Sequence, residues 1–328
     1  MNDNSIFILF LGLIVSFFLT RLLITISKKL GFVNYPNPLI KSHKISVPYG
    51  GGIAIGLTLI FIISFSNYET TGLKFILCII PVILAGLIDD IAKLSPLKKL
   101  IAEIFSIVPF FIYLNPPYYY ILFYMLFLLS VQNAWNLIDI MDGLASGLSI
   151  ITFLAFGIIT LFDKKLEFYT FLSFAAALSS LGFRAWNKYP AKIFLGDTGS
   201  LLLGSLFGFM VIGVFLMSEI KAGFLILLGG IPFFEMCFLI IIRIKKGIPF
   251  YKGSPDHFAL RMLESGNSVQ KINKQVIIIS AFHSLFVLVL SNFGPPFINL
   301  IIAYIVTITG AVIAYHYFKN IPTQLITS

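Results

Sequence analysis

Two adjacent carboxylates, Asp89 and Asp90, are the first side chains in this sequence that suggest chemistry. A short basic segment follows them, and Glu103 lies just beyond it. Neighbouring carboxylates repel each other unless a cation, a proton or a basic partner offsets their charge. The pair therefore suits a divalent metal with a phosphate, or a general base. A solvated helix end before the turn at Pro96 is an equally good interpretation.

A second segment carries polar side chains at every third position. They are Asn133, Asn136, Asp139 and Asp142. On a helix this spacing forms a slowly rotating polar stripe. Because such groups at the end of an apolar span are costly unless something uses them, the stripe predicts a binding site. For Asp142 alone, capping of the following helix is the alternative.

A third segment combines glycines and an acid directly before an apolar run. Glycine beside a helix N-terminus lets backbone N–H groups approach phosphate oxygens, which makes Gly196 a candidate for substrate binding. Asp197 adds a hard oxygen ligand suited to Mg²⁺, which usually takes one or two protein groups together with substrate phosphates. A helix cap without any ligand is the alternative.

The last polar segment contains His257 and Arg261. If Ser254 and Pro255 begin a helix, these two side chains lie one turn apart on one face, where they could hold a phosphate. A lone histidine is more commonly structural, so this motif is weak by itself. Two further acids, Glu103 and Glu235, lie within apolar runs, and we expect both to point into the protein interior.

The elements that position these groups are predicted to be membrane spans. Of the 328 residues, 58% are hydrophobic and only 11% are charged, which excludes an ordinary soluble domain. Apolar runs of about 17–25 residues predict an all-α polytopic membrane helix bundle with about eleven transmembrane helices, in a single domain over residues 1–328. The predicted helices lie near 6–26, 50–66, 73–88, 99–115, 118–138, 143–162, 168–182, 199–217, 222–242, 274–291 and 297–317.

The basic residues predict the orientation of this bundle. Segments 27–49, 89–98, 139–142, 183–198 and 243–273, the C-terminal tail and the flanking Lys99 and Lys274 hold 18 of the 23 Lys and Arg residues. This bias predicts a multi-pass protein of the cell (inner) membrane with its N-terminus outside and its C-terminus in the cytoplasm. The net charge of +9 then reflects topology, and we expect no nucleic-acid partner. We expect an active site facing the cytoplasm, formed by segments 27–49, 89–103, 133–143, 183–200 and 243–273.

Taken in order, these segments resemble the polyprenyl-phosphate N-acetylhexosamine-1-phosphate transferases, or glycosyltransferase family 4. The resemblance extends over residues 43–257. It rests on His43-Lys44, Val47-Pro48, Gly51-Gly52, Asp89-Asp90 with Leu94 and Lys99, Asn133-Ala134-Trp135-Asn136, Asp139, Asp142-Gly143-Leu144, Phe194, Gly196-Asp197-Thr198-Gly199-Ser200 and His257.

The resemblance implies transfer of a sugar-1-phosphate from a UDP-N-acetylhexosamine to polyprenyl (undecaprenyl) phosphate. The products are polyprenyl-diphospho-sugar and UMP, Mg²⁺ is the implied cofactor, and the reaction initiates a cell-envelope glycan such as lipopolysaccharide. Asp197 and the side-chain oxygen of Asn136 match the metal ligands, and Lys99 matches a basic residue near the lipid phosphate. The positions of Asp89, Asp90 and His257 match catalytic ones. Asn133, Asp139, Asp142, Gly196 and Arg261 are the other expected substrate contacts. The sequence leaves the oligomeric state open, with a homodimer as one of the possible assemblies.

Two departures from the family pattern bear on the substrate. The enzymes that use the muramoyl-pentapeptide nucleotide carry several histidines in the last loop, whereas this chain has His257 followed by Arg261. This difference favours the glycan-initiating branch over phospho-N-acetylmuramoyl-pentapeptide transferase, which is the first alternative. Ile140 stands where the family stripe usually has a glycine.

A secondary transporter is the alternative from another functional class. Its site would lie near the bilayer midplane on broken helices, often within inverted repeats. Only Glu103, Glu235 and Pro232 support it, because the other polar groups lie at one predicted membrane face and no repeat is visible.

Overall fold

The structure, a computed structural model, describes residues 3–34 and 46–323. The motif pair His43-Lys44 lies outside the described residues. Within them the chain is almost entirely α-helical, apart from a short antiparallel pairing of β1 (Val33–Asn34) with β2 (Val47–Pro48). The α-helices are α1 (Asp3–Lys29), α2 (Gly51–Ser64), α3 (Glu69–Ala92), α4 (Pro96–Leu114), α5 (Ile121–Ile138), α6 (Leu144–Thr160), α7 (Glu167–Asn187), α8 (Gly196–Phe215), α9 (Glu219–Leu227), α10 (Gly230–Lys245), α11 (Phe258–Glu264), α12 (Val269–Asn292) and α13 (Pro296–Phe318).

The predicted all-α membrane bundle is confirmed. Among the described residues, seven helices are long and apolar enough to cross a membrane, and the bent pair α9 and α10 makes an eighth. The seven are α1, α3, α5, α7, α8, α12 and α13. The shorter apolar helices α2 and α6, together with α4, lie at the remaining three predicted positions. The number of crossings and the orientation stay predictions.

The predicted span at 222–242 is two helices in the structure. α9 and α10 meet at an angle of 66°. The sequence Gly229-Gly230 lies at the break, and Pro232 lies in the first turn of α10, where its missing N–H costs no helical hydrogen bond. The bend directs the C-terminal end of α10 toward α13, so that Lys245 Nζ donates to Tyr315 Oη at 2.6 Å.

Helix α8 lies at the centre of the bundle, and 94% of its apolar window is buried. Two glycines allow its N-terminal end to approach neighbouring backbones. A Cβ atom on Gly52 of α2 would lie 2.2 Å from Gly199 N, and one on Gly86 of α3 would lie 2.4 Å from Thr198 Cα. Larger side chains at these glycines would push α8 away, so they fix the position of the segment that carries Asp197.

Two side chains of α5 attach it to the neighbouring helices. Gln132 Nε2 donates to Ser205 Oγ of α8 at 2.7 Å. Trp135 is fully buried, and its Nε1 donates to Ser149 Oγ of α6 at 3.2 Å. Since polar partners in an apolar bundle are costly to leave unpaired, these contacts fix the rotation of α5 and hence the direction of Asn136.

Candidate active site

Lys99 lies at the centre of a cluster of side-chain oxygen atoms from three other helices. Its Nζ atom is 2.8 Å from Asp89 Oδ2 and 2.6 Å from Asp197 Oδ1. Asn136 Oδ1 lies 3.4 Å from the same ammonium group. The last turn of α3, the first turn of α4, the last turn of α5 and the first turn of α8 therefore meet at one point. The structure brings four predicted site residues together there, and we call them the Lys99 cluster.

The amide of Asn136 connects α5 to the start of α8. Its Nδ2 atom donates to Asp197 Oδ1 and, at 3.0 Å, to Ser200 Oγ. The oxygen and nitrogen of this amide therefore face different partners, the oxygen toward Lys99 and the nitrogen toward Asp197. Both residues predicted as metal ligands thus contact each other and the same ammonium group.

Asp90 differs from its neighbour Asp89, because its carboxylate caps the N-terminus of α8. It accepts hydrogen bonds from Asp197 N at 2.8 Å, Thr198 N at 3.1 Å and Thr198 Oγ1 at 2.6 Å. A carboxylate is a favourable partner for the unpaired N–H groups and the dipole at a helix start. The N–H groups of Asp197 and Thr198 donate to Asp90 in this structure, and the expectation that N–H groups after Gly196 face a phosphate stays a prediction. In this structure Asp90 positions α8, and its catalytic role stays a prediction.

The contact between the Asp90 carboxylate and the start of α8 requires a glycine at position 196. Its φ angle is +74°, and a Cβ atom there would lie 2.7 Å from Asp90 Oδ2. Left-handed backbone is costly for most residues, and a side chain here would also displace the capping carboxylate. The predicted contact of Gly196 with substrate stays a prediction, and the contact the structure shows is with Asp90.

Asp89 joins the turn after α3 to the Lys99 cluster. Its Oδ1 atom accepts a hydrogen bond from Leu94 N at 2.8 Å, while Oδ2 faces Lys99. Lys93, between them, ends α3 in the left-handed conformation with φ 47°. The carboxylate therefore both stabilises the turn between α3 and α4 and contributes charge to the cluster.

Asp139 and Tyr49 both lie near the carboxylates of Asp90 and Asp197. Burial raises the pKa of Asp139 well above its ordinary value, and the carboxylates of Asp197 and Asp90 raise it further. Burial likewise raises the pKa of Tyr49 to about 12, with Asp90, Asp197 and Asp139 adding to the shift. Tyr49 therefore stays a neutral hydroxyl that can donate a hydrogen bond.

The sequence motifs do not include Tyr49 among the predicted site residues. The available signal was its place immediately before Gly50-Gly51-Gly52. The backbone on either side of it pairs with the segment before α8, since Phe194 N donates to Pro48 O at 2.9 Å and Gly51 N donates to Phe194 O at 3.0 Å. Only the fold brings these two segments together.

Asn133 lies one turn before Asn136 and contacts Glu103. Its Nδ2 atom donates to Glu103 Oε2 at 2.9 Å. Glu103 is 2% exposed, and its Oε1 atom has no hydrogen-bond partner within the described part of the chain. The expectation that Glu103 and Glu235 point inward is confirmed, as Glu235 is also fully buried. Asn133 thus extends the polar path from the Lys99 cluster into the bundle.

His257 belongs to a second network, in which Glu235 orients the imidazole ring. His257 Nδ1 lies 2.7 Å from Glu235 Oε1, and Phe258 N donates to Glu235 Oε2 at 3.4 Å. A carboxylate that holds one ring nitrogen fixes the direction of the other. Nε2 is then the nitrogen available to a substrate oxygen.

Arg261 is used by the protein itself. Its Nη2 atom lies 2.7 Å from Asp256 Oδ1, and Nη1 donates to the carbonyls of Phe318, at 3.2 Å, and Ile321. The side chain is 3% exposed. The structure therefore places Arg261 in a link between the His257 segment and the end of α13, and its contact with substrate phosphate stays a prediction.

Asp142 holds a neighbouring loop. Its Oδ2 atom accepts from Ala191 N at 2.9 Å, and its carbonyl accepts from Asn273 Nδ2 at 2.7 Å. The capping alternative for Asp142 is wrong, because Gly143 occupies the N-cap position of α6 with φ 74°. Its predicted contact with substrate stays a prediction.

The Lys99 cluster has the donor chemistry expected of a magnesium site. Among the described residues, no group of three or more His, Cys, Asp or Glu side chains could hold a metal ion by itself. Mg²⁺, however, commonly takes one or two protein oxygens and completes its shell with phosphates and water. Oxygen atoms of Asp197 and Asn136 already converge on a positive charge, the Lys99 ammonium. These residues therefore fit a hard divalent cation.

The sequence is similar to those of known membrane-lipid transferases. The family model for glycosyl transferase family 4 matches residues 73–215. An undecaprenyl-phosphate alpha-N-acetylglucosaminyl 1-phosphate transferase from Thermotoga maritima is 34% identical, over 74% of this chain and 76% of its own. A probable undecaprenyl-phosphate N-acetylglucosaminyl 1-phosphate transferase from Bacillus subtilis is 29% identical over 96% of this chain and 93% of its own. A phospho-N-acetylmuramoyl-pentapeptide-transferase from Hydrogenobaculum sp. is 30% identical over 84% of this chain and 90% of its own. The chain therefore belongs to glycosyl transferase family 4.

Proposed function

We propose that this protein transfers an N-acetylhexosamine-1-phosphate from a UDP-sugar to undecaprenyl phosphate, which gives undecaprenyl-diphospho-sugar and UMP. The observation that carries the proposal is the Lys99 cluster, where acids, an amide and a cation from four helix ends converge. Helix ends in a membrane bundle lie near the lipid headgroups, which is where the phosphate of a membrane-anchored acceptor is found. A phosphoryl-transfer site in this place can meet both a lipid phosphate and a water-soluble nucleotide.

The reaction joins two anions. An oxygen of the lipid phosphate attacks the β-phosphorus of the UDP-sugar, and the bond from that phosphorus to the bridging oxygen breaks, so that UMP leaves with the electron pair. Catalysis of such a transfer rests mainly on positioning and on stabilising charge at the phosphate oxygens. Lys99 supplies a cation for this purpose. A phosphate that binds here competes with Asp89 and Asp197 for its ammonium group.

Mg²⁺ would be held by Asp197 and Asn136, where it would neutralise the diphosphate and stabilise the leaving UMP. Two nearby carboxylates position the other groups of the site. Asp90 fixes the helix start that carries Asp197, and Glu235 fixes the ring of His257, whose Nε2 can hold a phosphate oxygen. A phosphate monoester is mostly ionised near neutral pH, so the acceptor needs little help from a base. Asp89 then acts chiefly through its charge and through the turn that it stabilises.

We place the site on the cytoplasmic side of the cell (inner) membrane, where nucleotide sugars are made. The distribution of 18 of the 23 basic residues supports this orientation. The donor in this proposal is a simple UDP-N-acetylhexosamine. The Hydrogenobaculum relative, with its similar coverage, makes the muramoyl-pentapeptide nucleotide the second candidate donor. The single histidine in segment 243–273 favours the simpler sugar.

The test is an assay of UMP release from purified protein, undecaprenyl phosphate and a panel of UDP-N-acetylhexosamines, with the pentapeptide nucleotide as competitor. We expect release with at least one simple UDP-sugar, and its loss in Lys99→Ala. Lys98→Ala is the matched control, because Lys98 is the exposed neighbour of Lys99 on α4. Faster consumption of the pentapeptide nucleotide would overturn the donor assignment. Equal activity of the two lysine variants would overturn the placement of the site.

A further inference from the structure

A basic cavity lies apart from the Lys99 cluster, where the C-terminal ends of α10 and α13 meet. Its volume is about 460 Å³. Among the described residues, four cations line it, namely Lys245, Lys246, Arg261 and Lys319, and no acid does. The proposed reaction uses none of the three lysines.

Two of these four cations share one carboxylate within the protein. The buried carboxylate of Asp256 lies 2.6 Å from Lys246 Nζ and 2.7 Å from Arg261 Nη2. Burial would raise the pKa of Asp256, but these two cations outweigh it and hold the pKa below its ordinary value. Asp256 is therefore ionised near neutral pH, and its Oδ1 atom contacts both cations.

The other two cations lie at a single tyrosine ring. Lys245 Nζ is 5.2 Å from the centre of the Tyr315 ring and Lys319 Nζ is 5.6 Å from it. Neither lysine forms an ion pair with a described carboxylate. Two ammonium groups at one ring repel each other, so an anion bound between them is favourable. The Tyr315 hydroxyl accepts from Lys245 at 2.6 Å and keeps its own hydrogen for donation to such an anion.

The surroundings of the cavity indicate the kind of anion. Of the seven long apolar helices among the described residues, α13 is the least covered by protein, since only 11% of its apolar window is buried. Side chains one or two turns before the cavity, such as Ile308 and Val312, are exposed. An apolar chain can therefore lie along α13 while its charged head enters the cavity. Basic side chains at the membrane surface attract anionic lipids in this way.

We infer that the cavity between α10 and α13 binds the phosphate of an anionic phospholipid of the surrounding bilayer through Lys245, Lys319 and Tyr315. The site also adjoins the His257 segment. Arg261 lines the cavity and bonds Asp256, which directly precedes His257. A lipid bound there stabilises the link between that segment and the end of α13. The binding itself is independent of the proposed reaction.

The test is native mass spectrometry of the full-length protein titrated in detergent with phosphatidylglycerol or with phosphatidylcholine. The test variant is the double substitution Lys245→Gln with Lys319→Gln. The matched control is Lys271→Gln with Lys274→Gln, which removes the same charge from exposed positions at the start of α12. We expect about 30-fold weaker phosphatidylglycerol binding for the test variant, since each lysine near an anionic surface contributes roughly 1 kcal/mol. The control and the parent protein should bind alike, with little phosphatidylcholine bound.

Two further titrations separate the sources of phosphate, one with undecaprenyl phosphate and one with inorganic phosphate. Both should be unaffected by the Lys245 and Lys319 substitutions. Loss of undecaprenyl phosphate binding instead would assign the cavity to the acceptor, and equal phosphatidylglycerol binding by test and control variants would mean general surface attraction. Either result overturns the inference. Tyr315→Phe keeps both charges and removes only the hydroxyl, so it provides a second, milder variant with the same expected direction.

Discussion

The carboxylate of Asp90 accepts a hydrogen bond from the backbone N–H of Asp197 at 2.8 Å. Asp90 thus caps the helix that presents Asp197 to Lys99. The adjacent Asp89 instead pairs with Lys99 directly. Neighbouring aspartates that look equivalent in the sequence therefore have separate tasks in the structure.

This division predicts different defects for the two aspartates. Asp90→Ala should lower the melting temperature, because it leaves the buried donors of Asp197 and Thr198 without a partner, at about 1–3 kcal/mol. Asp89→Ala should lower activity more than stability, since Lys99 keeps Asp197 as a partner. Thermal unfolding in detergent and UMP release measure the two effects. An Asp90→Ala protein with parental melting temperature and no activity would contradict the capping role and favour direct catalysis.

Asp197→Ala should abolish transfer while the protein still inserts and folds. The variant loses a contact to Lys99 and an oxygen suited to Mg²⁺, and removal of one such electrostatic group typically costs about 10²–10³ in rate. Asp163→Ala is the control, because Asp163 pairs with Lys221 in a contact separate from the cluster. Activity at fixed Mg²⁺ is the measurement. Substantial activity in Asp197→Ala would remove this residue from the metal site.

Gly196→Ala should destabilise the protein and reduce activity together. Its φ of +74° is unfavourable for alanine by roughly 1 kcal/mol, and the new Cβ atom would lie 2.7 Å from Asp90 Oδ2. Gly310→Ala is the matched control, because a Cβ atom on Gly310 meets nothing within 4 Å and alanine favours the helix. We expect a lower melting temperature for the first variant and an equal or higher one for the second. The reverse order would contradict the tight contact between Gly196 and Asp90.

The ion pairs of Asp256 predict a specific dependence of stability on pH. Burial alone would raise the pKa of Asp256, but Lys246 and Arg261 lower it below 3.8. A carboxyl group whose pKa falls on folding stabilises the folded state above its unfolded pKa of about 3.9, and that contribution is lost as the pH falls through the lower folded value. The parent should therefore exceed Asp256→Asn in melting temperature by a constant amount from about pH 5 to 8, and the difference should narrow below about pH 4. A difference that instead changes near neutral pH would contradict this assignment.

The long apolar runs and the polar motifs were predictable from the sequence, because their periods are local. The break between α9 and α10 was not, since Gly229-Gly230 is compatible with a continuous span until neighbouring helices are in place. The different contacts of neighbouring site residues were also not predictable from the sequence. Nothing local distinguishes Asp89, which faces Lys99, from Asp90, which faces the start of α8. Likewise, the hydrogen bonds from Arg261 to the carbonyls of Phe318 and Ile321 at the end of α13 join positions 57 and 60 residues apart in the chain.

Orientation in the membrane gives the last prediction. The charge distribution, with 18 of 23 basic residues in one set of segments, predicts that Lys252 lies in the cytoplasm and Lys164 outside. In a background without Cys78 and Cys237, Lys164→Cys should react with a membrane-impermeant thiol probe in intact cells, whereas Lys252→Cys should react only after the cells are opened. Both positions lie outside the spans, so the substitutions should leave folding unchanged, which UMP release checks. Reaction of Lys252→Cys in intact cells would invert the topology. The Lys99 cluster would then face away from the cytoplasmic nucleotide sugars, and the proposed donor would fail with it.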